Sequence, residues 1–318
     1  MAPKVAVLGN INQDFVVRAD RMPRPGETIL GSDVKFVAGG KGANQAVTAA
    51  RLGAEVTLIG RVGQDAFGPI LLENLRREGV ETRYIGLDDD VATGMAFIAL
   101  APDGQNSILS VGGANLACAP RYIDDATPVI AQADVALVQF AVPLESVELF
   151  VKIAADRNVP VVMDPTPAMG TMPDNWTRAG VLTPNETEAE YVVGYEVPDT
   201  ATAVRAAQDI HARGVKIALV KRGPEGCIVC TDEGTRLVPG YPVEVVDTTG
   251  AGDSFAAGLG VGLAEGLGVD QAVAFANACG ALACTKFGAQ PSLPHRQDVE
   301  RFLKQHGGLA AVQPVPMG

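Results

Sequence analysis

The stretch "VEVVDTTGAGDSFAAGL", Val243 to Leu259, contains the unit on which the fold of this chain depends. The segment "VEVVD" has the pattern of a β-strand, "TTGAG" that of a turn, and "SFAAGLGVGLAEGLG" that of a helix. Backbone N–H groups in the first turn of a helix have no intrahelical partner and carry the positive end of the helix dipole. Because glycine lets such a backbone approach an anion closely, the sequence predicts a phosphate site at Gly250, Ala251 and Gly252.

A carboxylate, Asp253, directly follows this anion site. It would repel a bound anion unless another group lay between them, and a hydroxyl in line with a γ-phosphate is such a group. Asp253 would then accept the hydroxyl proton while the N–H groups stabilise the transferring phosphoryl group. The motif alone leaves a second interpretation equally open: an ordinary acid in a first helical turn, where the dipole favours it.

The spacing excludes two common phosphate-binding motifs. A dinucleotide fingerprint needs a third glycine where this stretch has Phe255. A P-loop needs a glycine and a hydroxyl residue at the positions where "KFVAGGKGAN" has Lys35 and Gly42. A dehydrogenase and a P-loop nucleotide hydrolase are therefore both disfavoured.

Strand-like and helix-like segments alternate along most of the chain. The strand-like segments are "KVAVLGNI", "EVTLIGRVG", "DVALVQF", "VPVVMD" and "KIALVKRG". The helix-like segments between them are "GANQAVTAARLG", "FGPILLENLRREG", "LESVELFVKIAADRN" and "ATAVRAAQDIHARG". Continuous apolar strands separated by helices of about a dozen residues predict an α/β fold, with a mostly parallel central sheet covered by helices on both faces.

Two regions interrupt this alternation and predict a small β-sheet lid. They cover residues 15–40 and 92–112, and the second contains Asp103-Gly104, a strong hairpin turn signal. We expect the lid over the carboxyl edge of the main sheet, where open α/β folds bind ligands. Decorative edge strands are the alternative. The whole chain, 1–318, is predicted to be one domain, with a flexible tail at 307–318.

Composition limits the classes of partner. A formal net charge of −12 argues against nucleic acid and anionic membranes as partners. No apolar run approaches the roughly 18 residues of a membrane span. The five cysteines fit a reducing, cytoplasmic compartment. Cys227 and Cys230 form a lone C-x-x-C on a predicted strand and are interpreted as two buried small side chains.

A second polar cluster lies near the N-terminus, in "GNINQDF" and "GGKGANQA". Asn12 and Asp14 follow a strand, while Lys41 and Asn44 lie where a helix begins. Side chains of these types make directional hydrogen bonds to adjacent hydroxyls, so the cluster indicates a polyol site. Turn chemistry explains the same residues if the cluster is taken alone.

Taken together, these motifs resemble the ribokinase-like (PfkB) carbohydrate kinases. "GGKGANQAVTAARLG" resembles the first signature of that family, "DTTGAGDSFAAGL" the second, and "TPNETEAE" its Asn-x-x-Glu motif. The similarity runs from "VLGNINQDF" to "KFGAQPSLP", nearly the whole chain. It implies an ATP-dependent sugar kinase with Asp253 as the base and the predicted phosphate site as the anion hole. Because lid strands with exposed edges tend to pair, we also expect a homodimer formed through the lid.

The resemblance also implies binding roles for individual residues. The sugar would be held by Asp253 and by Asn12, Asp14, Gly39, Gly40, Lys41 and Asn44. The nucleotide would contact Asn185, Lys221, Gly223, Gly226 and Asn277. Asn185 and Glu188 would act on Mg²⁺ through water, and K⁺ would bind near Asp247, Thr249, Ala283, Lys286, Gly288 and Ser292. Oxygen ligands of this kind suit hard cations.

One departure from the family pattern bears on the substrate. Members that phosphorylate ribose usually carry a sugar-binding Glu in the strand-end segment that reads "LVQFAVPLESV" here, and the register places Ala141 at that position. Glu145 follows Pro143 at a helix start and is not expected to replace it. Transfer from ATP to the 5-hydroxyl of D-ribose is the expected reaction. Because Ala141 leaves room, a nucleoside or another pentose is the alternative acceptor.

Overall fold

A computed structural model of the chain describes residues 1–19, 21–100, 106–168 and 172–315. The strands of the described region are β1 (Lys4–Leu8), β2 (Asn12–Arg18), β3 (Asp33–Gly39), β4 (Glu55–Gly63), β5 (Val80–Glu81), β6 (Ile85–Asp88), β7 (Gly94–Leu100), β8 (Asn106–Val111), β9 (Val135–Gln139), β10 (Val161–Asp164), β11 (Gly180–Leu182), β12 (Ile217–Lys221), β13 (Cys227–Thr231), β14 (Gly234–Val238) and β15 (Gln313–Pro314).

The α-helices of that region are α1 (Lys41–Arg51), α2 (Gly68–Arg77), α3 (Pro120–Asp125), α4 (Thr127–Ile130), α5 (Leu144–Asp156), α6 (Glu186–Val193), α7 (Thr200–Ala212), α8 (Ala251–Ala264), α9 (Val269–Ala283), α10 (Ala289–Ser292) and α11 (Arg296–Gln305). Short 3₁₀ turns cover Gly113–Ala117, Trp176–Ala179 and Gly223–Glu225.

The main sheet is parallel through its centre and antiparallel at one edge. Its strand order is β15-β14-β13-β12-β11-β10-β9-β1-β4-β5, with β6 also paired to β4. The pairs from β12 back to β5 are parallel, whereas β12 to β15 pair antiparallel. The carboxyl ends of the central strands therefore meet at one edge, which is where an α/β sheet places its ligands.

Helices cover both faces of this sheet, as the alternating pattern predicts. In β1, Val5 and Val7 belong to the core that contains helices α1, α2, α8, α9 and α11. Ala6 and Leu8 point to the other core, which α3 to α7 complete. All four side chains are buried because the strand is covered on both sides. The predicted α/β fold class is confirmed.

A separate four-stranded sheet forms the lid, in the order β3-β2-β7-β8. β2 and β7 pair in parallel, and the two outer pairs are antiparallel. The first lid strand begins at Asn12, three residues before the predicted boundary, because the backbone of "NQD" already pairs with β3 and β7. The turn predicted at Asp103-Gly104 lies outside the described residues.

The segment "VEVVD" does not form the predicted strand. Val245 and Val246 are 60% and 57% exposed, so the alternation has no buried face to support it. The backbone N–H groups of Val246 and Asp247 instead donate to the carbonyl of Cys284, at the end of α9, at 2.8 and 3.3 Å. The segment before α8 is therefore an irregular loop, which is held by hydrogen bonds to the C-terminal end of α9.

Part of the predicted tail pairs with the edge of the main sheet. Gln313 and Pro314 pair with Leu237 and Arg236 of β14, and the flexibility of 307–318 stays a prediction.

Among the described residues, no helix combines the length and the hydropathy that crossing a membrane requires.

Candidate active site

The N-terminus of α8 presents unpaired backbone donors where the phosphate site is predicted. Gly250 caps the helix in the left-handed region, at φ 81°, a conformation that glycine adopts without strain. Within the described region, the N–H groups of Gly250, Gly252 and Asp253 have no hydrogen-bond partner. The N–H of Ala251 differs, because it donates to the carbonyl of Thr248 at 3.2 Å. Three N–H groups are thus available to an anion.

Asp253 lies in the first turn of α8 and faces the start of α1. It is 6% exposed, and the Asn44 Nδ2 donates to its Oδ2 at 2.8 Å. Burial raises the pKa of Asp253, the Lys41 charge and the Asn44 hydrogen bond oppose that rise, and Asp164 adds to it. The helix α1 thus brings Lys41 and Asn44 to the carboxylate, and the two predicted clusters form one site.

The position of Asp14 depends on close approach by glycine. A Cβ on Gly39 would lie 2.1 Å from the Asp14 Oδ2, so only glycine leaves room for this carboxylate. Asp14 is 7% exposed, and its pKa is raised from the ordinary value of 3.8 to about 7. Burial is the main cause, the Asp253 charge raises it further, and Lys41 lowers it. Two carboxylates therefore share one poorly hydrated site.

Asn10 holds the start of α1 in place of a conventional cap. Its Oδ1 accepts from the N–H of Gly42 at 3.1 Å, and its carbonyl accepts from the N–H of Ala43 at 3.0 Å. Gly40, at φ 91°, lets the chain pass against this residue, because a Cβ there would lie 2.7 Å from the Asn10 carbonyl oxygen. The loop after β1 thereby sets the position of Lys41.

Several buried polar atoms of this site have no partner among the described residues. They include the Asp14 Oδ1 and the Asn44 Oδ1. Such atoms are costly to bury unless a ligand satisfies them, and both are acceptors. A pocket next to Asp14 is roofed by Val16, Val37 and Ile98 of the lid and reaches Asp247 and Phe287 of the main body. The site therefore suits a small molecule with several hydroxyl groups.

Lys221, at the end of β12, connects the anion site to two buried carboxylates. Its Nζ lies 2.8 Å from Asp164 Oδ1 and 3.9 Å from Glu188 Oε2. A Cβ on Gly252 would lie 3.6 Å from the same Nζ, so the ammonium is beside the N-terminus of α8. Burial lowers the pKa of Lys221, but the charges of Asp164 and Glu188 outweigh it, so the net pKa is raised. The group stays a cation.

Asn185 and Glu188 form the capping box of α6. The Asn185 Oδ1 accepts from the Glu188 N–H, and the Glu188 Oε2 accepts from the Asn185 N–H, each at 2.8 Å. Burial and then the Asp164 charge raise the pKa of Glu188. The second Glu188 oxygen is not used in the capping box, and a carboxylate with an amide oxygen is a donor set that fits a hard divalent cation held through water.

The other predicted nucleotide residues lie around the β12–β13 connection. Gly223 and Gly226 have positive φ, at 51° and 100°. A Cβ on Gly226 would lie 2.2 Å from the Val238 carbonyl oxygen, so that loop packs directly on the backbone after β14. Asn277, in α9, donates to the carbonyls of Val238 and Pro239 at 3.1 and 3.0 Å. Its amide supports the loop beside these glycines.

Four of the six predicted K⁺ residues are joined by direct contacts. The Asp247 Oδ1 accepts from the N–H and the hydroxyl of Thr249, and its Oδ2 accepts from the N–H of Gly288. The Ser292 hydroxyl lies 3.5 Å from the Thr249 carbonyl.

The other two predicted K⁺ residues, Ala283 and Lys286, are placed near this loop by their position in the chain. Ala283 precedes Cys284, whose carbonyl binds this loop, and Lys286 has an exposed side chain, so it could contribute only its carbonyl. A carboxylate, a hydroxyl and several carbonyls within one loop pair are a donor set that a monovalent cation accepts.

Ala141 follows β9 in the turn before α5, and its side chain is half-buried. Glu145 is exposed on the first turn of α5, as expected of a residue that does not replace the missing acid.

Sequence reasoning missed several residues of the site. Asp164 was not singled out, although its place at the end of a parallel strand is a usable signal. A buried chain leads to it: Gln139 Nε2 donates to Gln45 Oε1 at 2.5 Å, and Gln45 Nε2 lies 3.5 Å from Asp164 Oδ2. Asn10 was missed as well, because its role is to hold the start of α1 and it belongs to no ligand-binding motif.

Comparison with known proteins agrees with this geometry. Residues 2–296 match the family described as pfkB family carbohydrate kinase. The ribokinase of Haemophilus influenzae is 39% identical over 304 residues, which cover 96% of this chain and 99% of that protein. The mouse (Mus musculus) ribokinase is 36% identical over 308 residues, 95% of each chain.

Solved structures give the same result. Arabidopsis thaliana ribokinase, solved with ribose and ATP, superposes with a TM-score of 0.87 at 35% identity, covering 96% of this chain and 99% of that one. The Methanocaldococcus jannaschii nucleoside kinase, at 20% identity and a TM-score of 0.80 over 96% and 100% of the two chains, shares the fold. The chain belongs to the PfkB family of carbohydrate kinases.

Proposed function

We propose that this chain transfers the γ-phosphoryl group of ATP to the 5-hydroxyl of D-ribose. The observation that carries the proposal is the position of the Asp253 carboxylate, which lies between the unpaired acceptors of the sugar side and the unpaired N–H groups of α8. A kinase needs this arrangement, because its base must face the hydroxyl while separate donors face the phosphoryl group. The relatives named as ribokinases, and the one solved with ribose and ATP, support ribose as the acceptor.

In the proposed mechanism, Asn44 holds one carboxylate oxygen of Asp253 and leaves the other for the sugar hydroxyl. Asp253 accepts the hydroxyl proton as the hydroxyl oxygen attacks the γ-phosphorus and the bond to the bridging oxygen breaks, so that ADP leaves. Its raised pKa makes it a better base than an exposed aspartate. The N–H groups of Gly250, Gly252 and Asp253 receive the charge that develops on the phosphoryl oxygens. Lys221, kept cationic beside Gly252, adds to that charge stabilisation.

Two cations belong to the proposal. Asn185 and Glu188 would hold Mg²⁺ through water, and the bound ion would neutralise phosphate charge. The loop formed by Asp247, Thr249, Gly288 and Ser292 would hold K⁺ next to the anion hole.

A substrate panel tests the proposal. Purified protein is assayed for ADP formation with ATP, Mg²⁺ and each of several pentoses, hexoses and nucleosides, with and without K⁺. We expect ribose to give the highest kcat/KM, and Asp253→Asn to lower kcat by about 100-fold to 10,000-fold with ATP binding retained. Normal turnover by that variant would refute the assignment of the base.

A nucleoside or another pentose is the second candidate acceptor, because Ala141 provides no carboxylate at the position where ribose-specific relatives bind the sugar. Its side chain is half-buried, and a methyl group takes up less volume than the carboxylate side chain of those relatives. A kcat/KM for any nucleoside above that for ribose decides for this alternative.

We also propose that two copies pair through the lid. The row Phe36, Phe15, Phe97 and Leu109 crosses the four lid strands in register, on the face opposite Val16, Val37 and Ile98. Phe36, Phe97 and Leu109 are 62%, 44% and 64% exposed. Aromatic side chains in such a row bury well against a second copy.

A cytosolic location fits the five cysteines, which are all free.

A further inference from the structure

The orientation of the Asn12 side chain is fixed by Asn115, a residue outside every motif in the sequence. Asn115 lies in the 3₁₀ turn that follows lid strand β8 and is 1% exposed. Its Oδ1 accepts from the Ile11 N–H at 2.8 Å, and its Nδ2 lies 3.2 Å from the Ile11 carbonyl oxygen. The same Nδ2 donates to the Asn12 Oδ1 at 2.9 Å. One buried amide therefore spans the point where the chain passes from β1 into the lid.

The backbone of Ile11 determines which atom of each amide is oxygen. A backbone N–H can only donate and a carbonyl can only accept, so Asn115 must turn Oδ1 to the first and Nδ2 to the second. Since Nδ2 is a donor, the Asn12 atom that faces it must be Oδ1. Asn12 keeps its own NH₂ group for another partner, and among the residues with described positions its Nδ2 makes no hydrogen bond.

Contact between the two amides depends on Gly94. This glycine begins β7 and pairs with Asn12 across the strands. A Cβ on it would lie 2.0 Å from the Asn115 Nδ2 and 2.5 Å from the Asn12 Oδ1. Any larger residue would therefore separate the amides.

We propose that Asn115 is a positioning residue for sugar recognition, which holds Asn12 with its NH₂ group toward the sugar. The proposal rests on the proposed function, because it takes Asn12 as a sugar contact. Asn12 and Asp14 are two residues apart on β2 and so lie on the same face of the strand. That face offers one fixed donor and one acceptor, the unpaired Asp14 Oδ1. The sugar oxygen that meets Asn12 must then accept, and it needs no hydrogen of its own.

Fluorinated sugars test this assignment, because carbon-bound fluorine accepts weakly and cannot donate. The panel is ribose with the hydroxyl at carbon 1, 2 or 3 removed, or replaced by fluorine, while the 5-hydroxyl is kept. Asn12→Ala identifies which hydroxyl Asn12 binds. Removing that hydroxyl should no longer change kcat/KM in this variant, whereas removing either of the other two still should. At that position we expect the wild type to have a higher kcat/KM for the fluoro sugar than for the deoxy sugar.

Asn115→Asp should abolish this preference. The new carboxylate still accepts from Ile11 but cannot donate to Asn12, so Asn12 turns its NH₂ group away from the sugar and presents oxygen. We expect the KM for ribose to rise about tenfold, as for the loss of one well-placed hydrogen bond, while the KM for ATP is unchanged. The advantage of the fluoro sugar should disappear. Gly94→Ala, which leaves every polar group in place, should raise the KM for ribose in the same direction.

Asn175→Asp is the matched control. Its Nδ2 donates to the Glu148 carbonyl at 2.8 Å, between α5 and a 3₁₀ turn, so the chemical change is identical and distant from the sugar. It should leave the sugar preference unaltered. An Asn115→Asp enzyme with wild-type KM and wild-type fluoro preference would overturn the proposal, and so would a folded Gly94→Ala enzyme with wild-type KM. A wild type that phosphorylates no sugar would instead overturn the proposed function itself.

Discussion

The carboxylate of Asp14 should make the protein less stable as the pH rises, and Asp14→Asn should remove that effect. Asp14 is buried, its Oδ1 has no partner among the described residues, and Asp253 lies close enough for its charge to act on it. Its pKa is therefore raised in the folded protein. The folded state binds the proton more tightly than the unfolded chain does, so stability is lost as the proton leaves.

The magnitude follows from the two pKa values. A change from 3.8 in the unfolded chain to about 7 in the folded protein corresponds to on the order of 4 kcal/mol, at about 1.36 kcal/mol for each pH unit. Below the lower value both states are protonated and nothing is lost. Above the higher value the loss is complete. Between about pH 5 and about pH 8, this one group should lower the free energy of unfolding by about 2.5 kcal/mol.

Urea unfolding of wild type and Asp14→Asn at several pH values measures this difference. The variant should be more stable than the wild type at pH 8, and the gain should shrink toward pH 5. Asp89→Asn, at an exposed carboxylate, is the control and should show no gain of this kind. A constant difference between wild type and Asp14→Asn across this range would refute the reasoning. The same variant should bind the sugar more weakly, seen as a raised KM, because it replaces one carboxylate oxygen with an NH₂ group that can only donate.

Three other predictions concern the cations and the lid. Lys221→Met should destabilise the protein by about 3–5 kcal/mol by leaving Asp164 and Glu188 without their partner, and adding Asp164→Asn should recover part of the loss in thermal unfolding; no recovery would mean that Asp164 is not the main partner. Asp247→Asn should raise the K⁺ concentration for half-maximal activity about tenfold in a KCl titration, since a charged acceptor contributes about 1.5–3 kcal/mol; an unchanged titration would remove this residue from the cation site. Phe36→Ser should shift the protein toward monomer in sedimentation velocity, and an unaltered dimer would place the interface elsewhere.

The hydrophobic pattern of the sequence correctly predicted the strands that are covered by helices on both faces. β4 coincides with "EVTLIGRVG", and the central strands follow from their apolar runs because both faces are covered. The strand prediction for "VEVVD" is wrong, because periodicity does not reveal whether a segment has a neighbouring strand to pair with. The Ala251 N–H was expected in the anion hole but binds Thr248, a local turn bond that residue types do not specify.

The residues of the candidate site also differ in how well the sequence predicts them. Residues proposed to act on a ligand, such as Asp253 and Asp14, stand in recognisable motifs. Residues that act on other protein groups do not, because an asparagine that holds a backbone has no characteristic spacing. Asn10 and Asn115 are of this second kind, and Asn115 reaches Ile11 across 104 positions. Only the folded chain brings such partners together.

The hydrogen bond from Asn44 to Asp253 joins residues 209 positions apart, and this separation orders events during synthesis. The ribosome completes the proposed sugar-binding half of the centre long before the loop and helix that are proposed to bind phosphate. β1 and the lid strands can begin to assemble while the base is still untranslated, so an emerging chain contains no complete catalytic centre. A truncated product that ends before α8 would therefore be unable to consume ATP. Phosphotransfer is in this sense a late property of the polypeptide, and its appearance during translation would report that α8 has docked against α1.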